Sequence, residues 1–473
     1  MRTAWTLTVA WFLAGMAAEA GDLRIGRAAV EISPAPGTPM LGAQRAPGGK
    51  LGSEEPLDPI RVKAVVMDQG GRRAALVVCD LTSIPLAMIV EARRLIGEST
   101  GIAPESVMIS ATHCHTVPQI RARLLGSLDE PTRGKALAYI AALPSRMAEA
   151  VRLAEADLRP ASALAGLGHE PSVSFNRRFY LKDGTVKTNP FKDDDSKMDQ
   201  VLRPTGPIDP GVGVVEFRAA DGGRPLATLV NFAIHLDTVG GSRPSADFPA
   251  ALDSTLRASL GAEMLTIFAT GAAGNINHYD LLNPAGPRRL KGPEEAARIG
   301  GKLAAEVLRT RPQLTGVVDA PLGMARELVE IDYHPDKARR LREQIGSKPR
   351  HFDGEVEVRN EPGRTFFLAE VQAITLGDEL AWVGFPGEMF AEFGLALKDA
   401  SPFRYTMIHE LANGSIGYVP NLRACPEGGY EAEATRCAPG SGERMVDAAT
   451  RLLIRLKSQA RPKSDRIQES PRP

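Results

Sequence analysis

Two histidines separated by one residue, His113 and His115, have the type and spacing to bind a metal. They lie where a β-like run gives way to a loop that ends at Pro118. Side chains two residues apart on an extended backbone point to the same side, and imidazole is a common ligand of zinc and similar metals. The pair therefore predicts one metal ligand and one proton-handling group, with an incidental pair of polar histidines as the alternative.

Two other side chains are candidates for the same kind of site. His235 ends the apolar run of residues 226–234, and α/β sheets place ligand groups at the carboxyl ends of their strands. A core histidine bonded to a backbone carbonyl is the alternative. Glu388 follows a Pro-Gly turn and is expected to open the next helix, where simple capping is the alternative. Tyr418, in a turn-rich segment, has no distinguishing pattern by itself.

Strand-like and helical runs alternate along the chain, which predicts an α/β fold of mixed β-sheets covered by helices. Gly-rich turns join two pairs of strands into hairpins. The polar stretch at residues 333–364 is interpreted as an excursion on the main domain rather than a second domain. Strands are predicted at residues 62–67, 74–78, 106–109, 212–217, 226–232, 265–268, 365–376, 380–383 and 404–409, and helices at 86–98, 134–156, 248–260, 293–310, 335–345 and 390–399.

The first twenty residues have the pattern of an export signal. A positive start, an apolar segment at residues 5–16 and the cleavage pattern Ala18-Glu19-Ala20 predict a signal peptide at residues 1–20. An uncleaved anchor is the alternative, but the segment is short for a bilayer span. We therefore expect a secreted or periplasmic protein with no transmembrane span and a disordered polar tail at residues 459–473.

Charge and cysteine content narrow the function classes further. The 57 basic residues balance 57 acidic ones, and no basic block predicts nucleic-acid binding. Cys79 lies in an apolar run and Cys114 is turned away from the histidines, so both are expected to pack in the interior. Cys425 and Cys437 close a short loop and are the best candidates for a disulfide.

Short motifs in a shared order connect the chain to a known family. Over about residues 25–450 the chain resembles the catalytic domain of the neutral/alkaline non-lysosomal ceramidases. The resemblance implies that residues 21–458 form one ceramidase-like zinc hydrolase domain. The motifs lie at residues 26–34, 112–115, 175–177, 231–235, 268–278, 386–388 and 411–419.

The resemblance also implies a Zn²⁺ site. Carried over by motif position, the ligands are His113, His235, Glu388 and Tyr418. His115 is implied to transfer protons or orient the substrate carbonyl. In addition, Arg177 matches a family arginine that can bind the substrate oxygen as a fixed cation.

One motif departs from the family. Asn277 and His278 stand where the family has Ser-Pro. Asparagine can donate a hydrogen bond to an oxyanion but cannot act as a nucleophile. His278 adds a titratable group near the metal if the loop keeps the family's shape, with a surface loop histidine as the alternative. Both residues are therefore candidate catalytic groups, and ceramide is in doubt as the substrate.

The sequence thus predicts a zinc-dependent hydrolase that cleaves an amide of ceramide or another N-acyl compound by metal-activated water. Two alternatives remain: a non-catalytic ligand-binding protein of the same fold, and a zinc hydrolase of a different polar N-acyl or ester substrate. The expected partner is a small-molecule N-acyl or lipid substrate. Peripheral membrane contact is left open, and no nucleic-acid partner is expected.

Overall fold

The computed structural model describes residues 23–45, 50–191, 195–221, 223–283, 290–317, 321–345, 350–353 and 355–460. The expected signal peptide, residues 1–20, lies outside these ranges, as do residues 461–473 of the expected tail. The tail does not begin at residue 459, because the last helix continues through Ala460. Within the described ranges, no helix is both long enough and apolar enough to cross a membrane.

Helices and strands alternate along the described chain. The α-helices are α1 (Leu86–Thr100), α2 (Glu130–Ala156), α3 (Phe248–Leu260), α4 (Pro293–Thr310), α5 (Pro335–Ile345), α6 (Ala391–Ala400), α7 (Ala424–Glu427), α8 (Tyr430–Ala434) and α9 (Ser441–Ala460). The strands are β1 (Arg24–Glu31), β2 (Arg61–Gln69), β3 (Arg72–Cys79), β4 (Val107–Ala111), β5 (Arg159–His169), β6 (Phe175–Asn176), β7 (Arg178–Leu181), β8 (Val186–Thr188), β9 (Val201–Pro204), β10 (Gly211–Ala219), β11 (Pro225–Phe232), β12 (Leu265–Thr270), β13 (Ile276–Asn277), β14 (Thr315–Gly316), β15 (Gly323–Asp332), β16 (Arg350–Asp353), β17 (Val356–Glu361), β18 (Arg364–Leu376), β19 (Leu380–Gly384), β20 (Glu388–Met389), β21 (Tyr405–His409) and β22 (Tyr418–Val419).

The largest sheet combines nine strands in the order β12-β11-β10-β5-β1-β2-β3-β4, with β14 paired to β5. Most neighbours are antiparallel, but β3 runs parallel to β4 and β11 runs parallel to β12. Strand β12 also contacts β3 and β4, so the two ends of the sheet come together. As a consequence, the loops that follow β4 and β11 meet, and Cys114 forms a parallel bridge with Leu236.

A second sheet packs against one face of the first. Its order is β16-β17-β18-β19-β21, with β15 paired to β18. Alternate residues of β2 show the layering, because Val62 joins the core beneath α1 to α4 while Val65 packs with Trp382 and Met407 of the second sheet. Helix α9 covers the far face of the second sheet through Leu452 and its neighbours. The molecule is therefore layered as helices, sheet, sheet and helix.

The predicted α/β class, with mixed sheets covered by helices, is confirmed. The two predicted hairpins form as β2–β3 and β10–β11. Helices α3, α4 and α5 have the predicted bounds. The polar stretch at residues 333–364 supplies α5, β16 and β17, and β17 pairs with β18 at the edge of the second sheet.

Strand β5 and helix α9 are not predicted by the sequence analysis. Strand β5 is rich in alanine and glycine, which have low strand propensity. Its glycines leave room for neighbouring side chains, since a Cβ at Gly166 would lie 2.6 Å from a methyl of Leu314 and one at Gly168 would lie 2.5 Å from the Glu306 carboxylate. Helix α9 has the sequence pattern of an amphipathic helix, because buried residues recur at helical spacing at Met445, Ala448, Leu452 and Leu456.

The predicted disulfide between Cys425 and Cys437 is wrong, because both thiols are free. The backbone of Cys437 is held in a bridge to Tyr333, whereas Cys425 lies on the separate helix α7. Burial raises the pKa of the Cys437 thiol to about 12, so it stays protonated. The packing predicted for Cys114 is confirmed, since its thiol is buried and donates to the carbonyl of Ser245 at 2.9 Å.

Candidate metal centre

Loops that follow strand ends bring the predicted site residues together. His113 and His115 follow β4, and His235 follows β11. The two loops are joined by a hydrogen bond from the His115 backbone N to the carbonyl of Leu236 at 3.0 Å. His113 is not in extended conformation as expected, because its φ is +68°. The two imidazoles converge through this left-handed residue rather than through the alternation of a strand.

The ligating atoms of His113, His115 and His235 all lie within 4.8 Å of one another, a grouping that can hold a metal ion. The Nε2 atoms of His113 and His235 are 2.9 Å apart, and that of His115 is 3.3 Å from His113. Nδ1 of His113 is 2.8 Å from the Thr82 carbonyl, and Nδ1 of His235 is 3.4 Å from the Ala273 carbonyl. Carbonyls only accept, so each Nδ1 donates and each Nε2 presents a lone pair to the centre.

Glu388 adds a carboxylate to this centre. Its Oε2 is 3.3 Å from His113 Nε2 and 4.0 Å from His235 Nε2. The same oxygen is buried and has no hydrogen-bond partner in the described structure. Imidazole lone pairs and an unpartnered carboxylate oxygen repel one another unless a cation lies between them. This donor set fits a divalent metal such as zinc.

Glu388 does not open a helix, contrary to the prediction. It lies in β20, paired in parallel with Tyr418 of β22, and helix α6 begins only at Ala391. The close approach of another loop fixes this strand, because a Cβ at Gly274 would lie 2.3 Å from the Glu388 carbonyl. The carboxylate is therefore positioned by strand pairing rather than by a helix N-terminus.

The pKa shifts agree with a centre that attracts positive charge. Burial lowers the pKa of His115 to about 4 and that of His235 well below its usual value, so both imidazoles are neutral at pH 7. Burial disfavours the Glu388 carboxylate, but His113 and Arg177 bring its pKa down to about 2. The pKa of His113 is raised despite its burial, because Glu388 attracts a proton to the place where a cation would bind.

Tyr418 and Arg177 complete one side of the centre. The Tyr418 hydroxyl interacts electrostatically with Glu388 and Arg177, and burial beside Glu388 raises its pKa well above the usual value. The Arg177 guanidinium lies over the Tyr418 ring at 5.3 Å. Its Nη1 is 3.3 Å from His235 Nε2, and its Nη2 donates to the carbonyl of Gly274 at 2.6 Å. Both predicted residues therefore lie beside the histidines.

Glu431 is a part of the site that the sequence analysis does not identify. Its carboxylate is fully buried and pairs with Arg177 Nε at 2.7 Å and with Arg178 Nη1 at 3.2 Å. It also accepts from the hydroxyl of Thr188 at 2.6 Å. No local pattern marks this residue, which lies among other acidic residues of the loop between the last two cysteines. Its role depends on tertiary contacts with distant parts of the chain.

Asn277 and His278 are engaged in other contacts. The Asn277 amide donates to Asn189 Oδ1 at 2.7 Å, and its oxygen accepts from the backbone N of Tyr279 at 3.0 Å. His278 bridges the Leu290 carbonyl at 3.0 Å and Asp237 Oδ1 at 3.2 Å. Among the described contacts, neither side chain hydrogen-bonds to the three histidines. The side chain of His278 is fully buried, so His278 is not a surface loop histidine.

Glu410 is a second acidic residue that the sequence analysis misses. Its side chain is fully buried, and Oε2 accepts from the backbone N of Ala273 at 3.0 Å. Burial raises its pKa to about 8, so at pH 7 it is mostly the neutral acid. The carbonyl of Ala273 in turn receives Nδ1–H of His235. A signal is present in the sequence, since Glu410 follows a predicted strand just as His235 does.

The segment of residues 409–413 connects the loops that carry the candidate ligands. Leu411 accepts from the backbone N of Ala111 near His113, and its own N donates to the Gly387 carbonyl next to Glu388. The side chain of Asn413 accepts from the backbone N of Ile109 at 3.0 Å and donates to Gln372 at 2.7 Å. Leu411 and Asn413 both have positive φ, at +51° and +62°. The segment therefore sets the relative positions of the loops around the centre.

The centre opens onto a cavity of about 310 Å³. His113, His115, Glu388 and Tyr418 line it, whereas Arg177 is not among the described lining residues. The size is in the range of small-molecule sites. The other walls carry both polar and apolar side chains, including Gln44, Gln119, Leu41, Leu124 and four arginines.

Solved structures that are similar to the chain include two ceramidases. The neutral ceramidase from Pseudomonas aeruginosa is 19% identical, with a TM-score of 0.68 over 93% of this chain and 75% of that chain. A ceramidase complexed with C2 is 18% identical, with a TM-score of 0.68 over 92% of this chain and 76% of that chain. No protein-family model and no curated protein matches the chain. The chain therefore has a ceramidase-like fold, as its motifs predict.

Proposed function

We propose that the protein is a zinc-dependent hydrolase that cleaves the amide bond of an N-acyl compound. The observation that carries this proposal is the group of three imidazole Nε2 atoms beside the unpartnered Oε2 of Glu388. His113, His115 and Glu388 line a cavity large enough for a small-molecule substrate. The fold likeness to ceramidases, whose name denotes an amide substrate, supports the same bond type.

The proposed zinc ligands are His113, His235, Glu388 and Tyr418, with His115 beside them. When bound, zinc supplies a coordinated water with a pKa near 7 and so a nucleophile at neutral pH. His113 and His235 suit this role because carbonyls hold their Nδ1–H groups and leave Nε2 free for the metal. Glu388 contributes the negative charge that a divalent cation requires.

The remaining groups handle the substrate. Tyr418 lines the cavity as one of the proposed zinc ligands and would offer the metal its phenol oxygen. Arg177 lies over the Tyr418 ring and acts as a positioning residue. His115 lines the cavity, and its Nε2 transfers a proton from water to the leaving amine. The oxygen of water joins the carbonyl carbon, the C–N bond breaks, and an acid and an amine result.

Asn277 and His278 have a structural role in this proposal, because their side chains hold neighbouring loops. The family serine is then not required, since the nucleophile is water. A non-catalytic binding protein is the competing reading. It predicts no turnover of any N-acyl substrate, whereas the proposed hydrolase predicts turnover that depends on Glu388.

Metal analysis of the purified protein tests the proposal. We expect about one zinc per chain in the wild type and in the control His169→Ala, which alters an exposed histidine. His113→Ala and His235→Ala should lose the metal, and Glu388→Gln should abolish amide hydrolysis. Removal of zinc with a chelator should lower the Tm of the wild type but not that of His113→Ala. Full zinc content in His113→Ala, or hydrolysis that survives a chelator, would contradict the proposal.

We also propose that the chain is exported to the periplasm or secreted after cleavage behind Ala20. The support is the sequence pattern of residues 1–20. Mass spectrometry of the protein recovered outside the cytoplasm should give a chain that begins at Gly21. Recovery of the chain in the cytoplasm with Met1 intact would rule this out.

A further inference from the structure

Four arginines, Arg45, Arg121, Arg123 and Arg436, line the same cavity as the candidate metal centre. The carboxylates that line it are those of Glu355 and Glu388. The whole chain has a formal net charge of zero. Positive charge is therefore concentrated where a substrate would enter, and a bound divalent metal would add to it.

Two of these arginines are already paired. Glu355 is buried and binds Arg121 Nε at 2.8 Å and Arg436 Nη2 at 3.4 Å. The other two, Arg45 and Arg123, are exposed. Neither forms an ion pair or a side-chain hydrogen bond with any residue that the structure describes. Two guanidinium groups are thus available to a ligand in the cavity.

A guanidinium group presents a planar fork of donors that matches an oxyanion, and it stays charged at every physiological pH. In a cleft lined by one sign of charge, the field attracts ligands of the opposite sign. An uncharged amide would not use the positive charge of these two groups. The leucines on the walls, Leu41 and Leu124, offer contact to a short hydrocarbon part.

We infer that the substrate carries an oxyanion beside its scissile amide, and that Arg45 and Arg123 bind this oxyanion. The substrate class is an N-acylated amino acid or a related anionic N-acyl compound. This inference rests on the proposed amide hydrolysis. It adds a specificity subsite to the centre formed by the histidines.

Three soluble amides of the same acyl chain test the inference: N-octanoylglycine, N-octanoyltaurine and the uncharged N-octanoylethanolamine. The wild type should show a lower KM for the two anions than for the neutral amide. In Arg45→Gln and Arg123→Gln the ratio of anionic to neutral KM should rise about three- to tenfold for each arginine removed. Arg146→Gln is the matched control, because Arg146 is exposed on α2 and does not line the cavity.

Binding of the same compounds, measured by calorimetry, separates this inference from the proposed function. Arginine-dependent binding of N-octanoylglycine without turnover would support the subsite and reject the hydrolase. The inference would be overturned if the wild type and the double variant Arg45→Gln/Arg123→Gln had equal ratios of anionic to neutral KM. If no amide is cleaved, equal affinities of the two proteins for the anionic compounds would overturn it. So would variants that change only the binding of vesicles containing phosphatidylglycerol, since the arginines would then contact a membrane surface.

Discussion

Single residues show how the centre is held by buried polar groups. His113 and His235 each donate Nδ1–H to a backbone carbonyl, so the direction of each lone pair is fixed by the main chain. The carbonyl that receives His235 belongs to Ala273, whose own N–H is bound by Glu410. Glu410 therefore acts through a single residue, Ala273, on a candidate ligand to which it is not hydrogen-bonded.

Removal of the Glu410 carboxyl should loosen this arrangement. Glu410→Ala leaves the buried N–H of Ala273 without a partner and opens a small cavity, which should lower the free energy of unfolding by about 2–3 kcal/mol. Zinc retention should weaken as well. Glu410→Gln should behave nearly like the wild type at pH 7, because the pKa of Glu410 is raised to about 8 and an amide replaces a neutral acid. Urea unfolding and zinc stoichiometry measure both effects, and a Gln variant as defective as Ala would contradict the argument.

At the scale of helices and strands, local sequence patterns predict some features of the fold and miss others. Hairpins β2–β3 and β10–β11 have apolar strands on either side of glycine turns. Because each pairing joins neighbouring segments, the local sequence predicts it. Helices α3 and α4 have a proline in the first turn, and they end before Gly261 and before Arg311-Pro312, which marks their bounds. The packing of one sheet on the other depends on contacts between distant segments, and no local pattern encodes it.

In the candidate site, too, local sequence patterns predict single residues but not the contacts between distant segments. His113, His235 and Glu388 each follow a strand-like run, so the sequence locates them and the family motifs group them. The approach of His115 to the other two imidazoles depends on the positive φ of His113, which a strand periodicity does not predict. The contacts of Asn277 with Asn189 likewise arise from the meeting of two loops.

The whole molecule buries titratable groups well outside the centre, and stability should depend on pH as a result. His409 is fully buried, and burial lowers its pKa from the ordinary 6.5 to about 4. Between about pH 6.5 and about pH 4, His409 is protonated in the unfolded chain but neutral in the folded chain. The free energy of unfolding therefore falls as pH decreases from about 6.5 to about 4, by about 3 kcal/mol from this residue.

The variant His409→Gln tests this linkage. It keeps a group able to hydrogen-bond to Ser110 but does not titrate in this range. Its free energy of unfolding should decrease less than that of the wild type between pH 6.5 and pH 4.5 in urea titrations. His169→Gln, at an exposed site, should follow the wild type. Parallel curves for His409→Gln and the wild type would exclude a contribution from His409.

The separation of the site residues along the chain has a consequence for biosynthesis. The imidazoles come from the first half of the chain, whereas Glu388 and Tyr418 lie near its end. A nascent chain emerges from the ribosome in sequence order, so the complete set of donors does not exist until residue 418 has left the exit tunnel. If these residues hold a metal as proposed, its loading would belong to the last stage of maturation, and a chain stalled earlier would expose histidines that still lack their carboxylate.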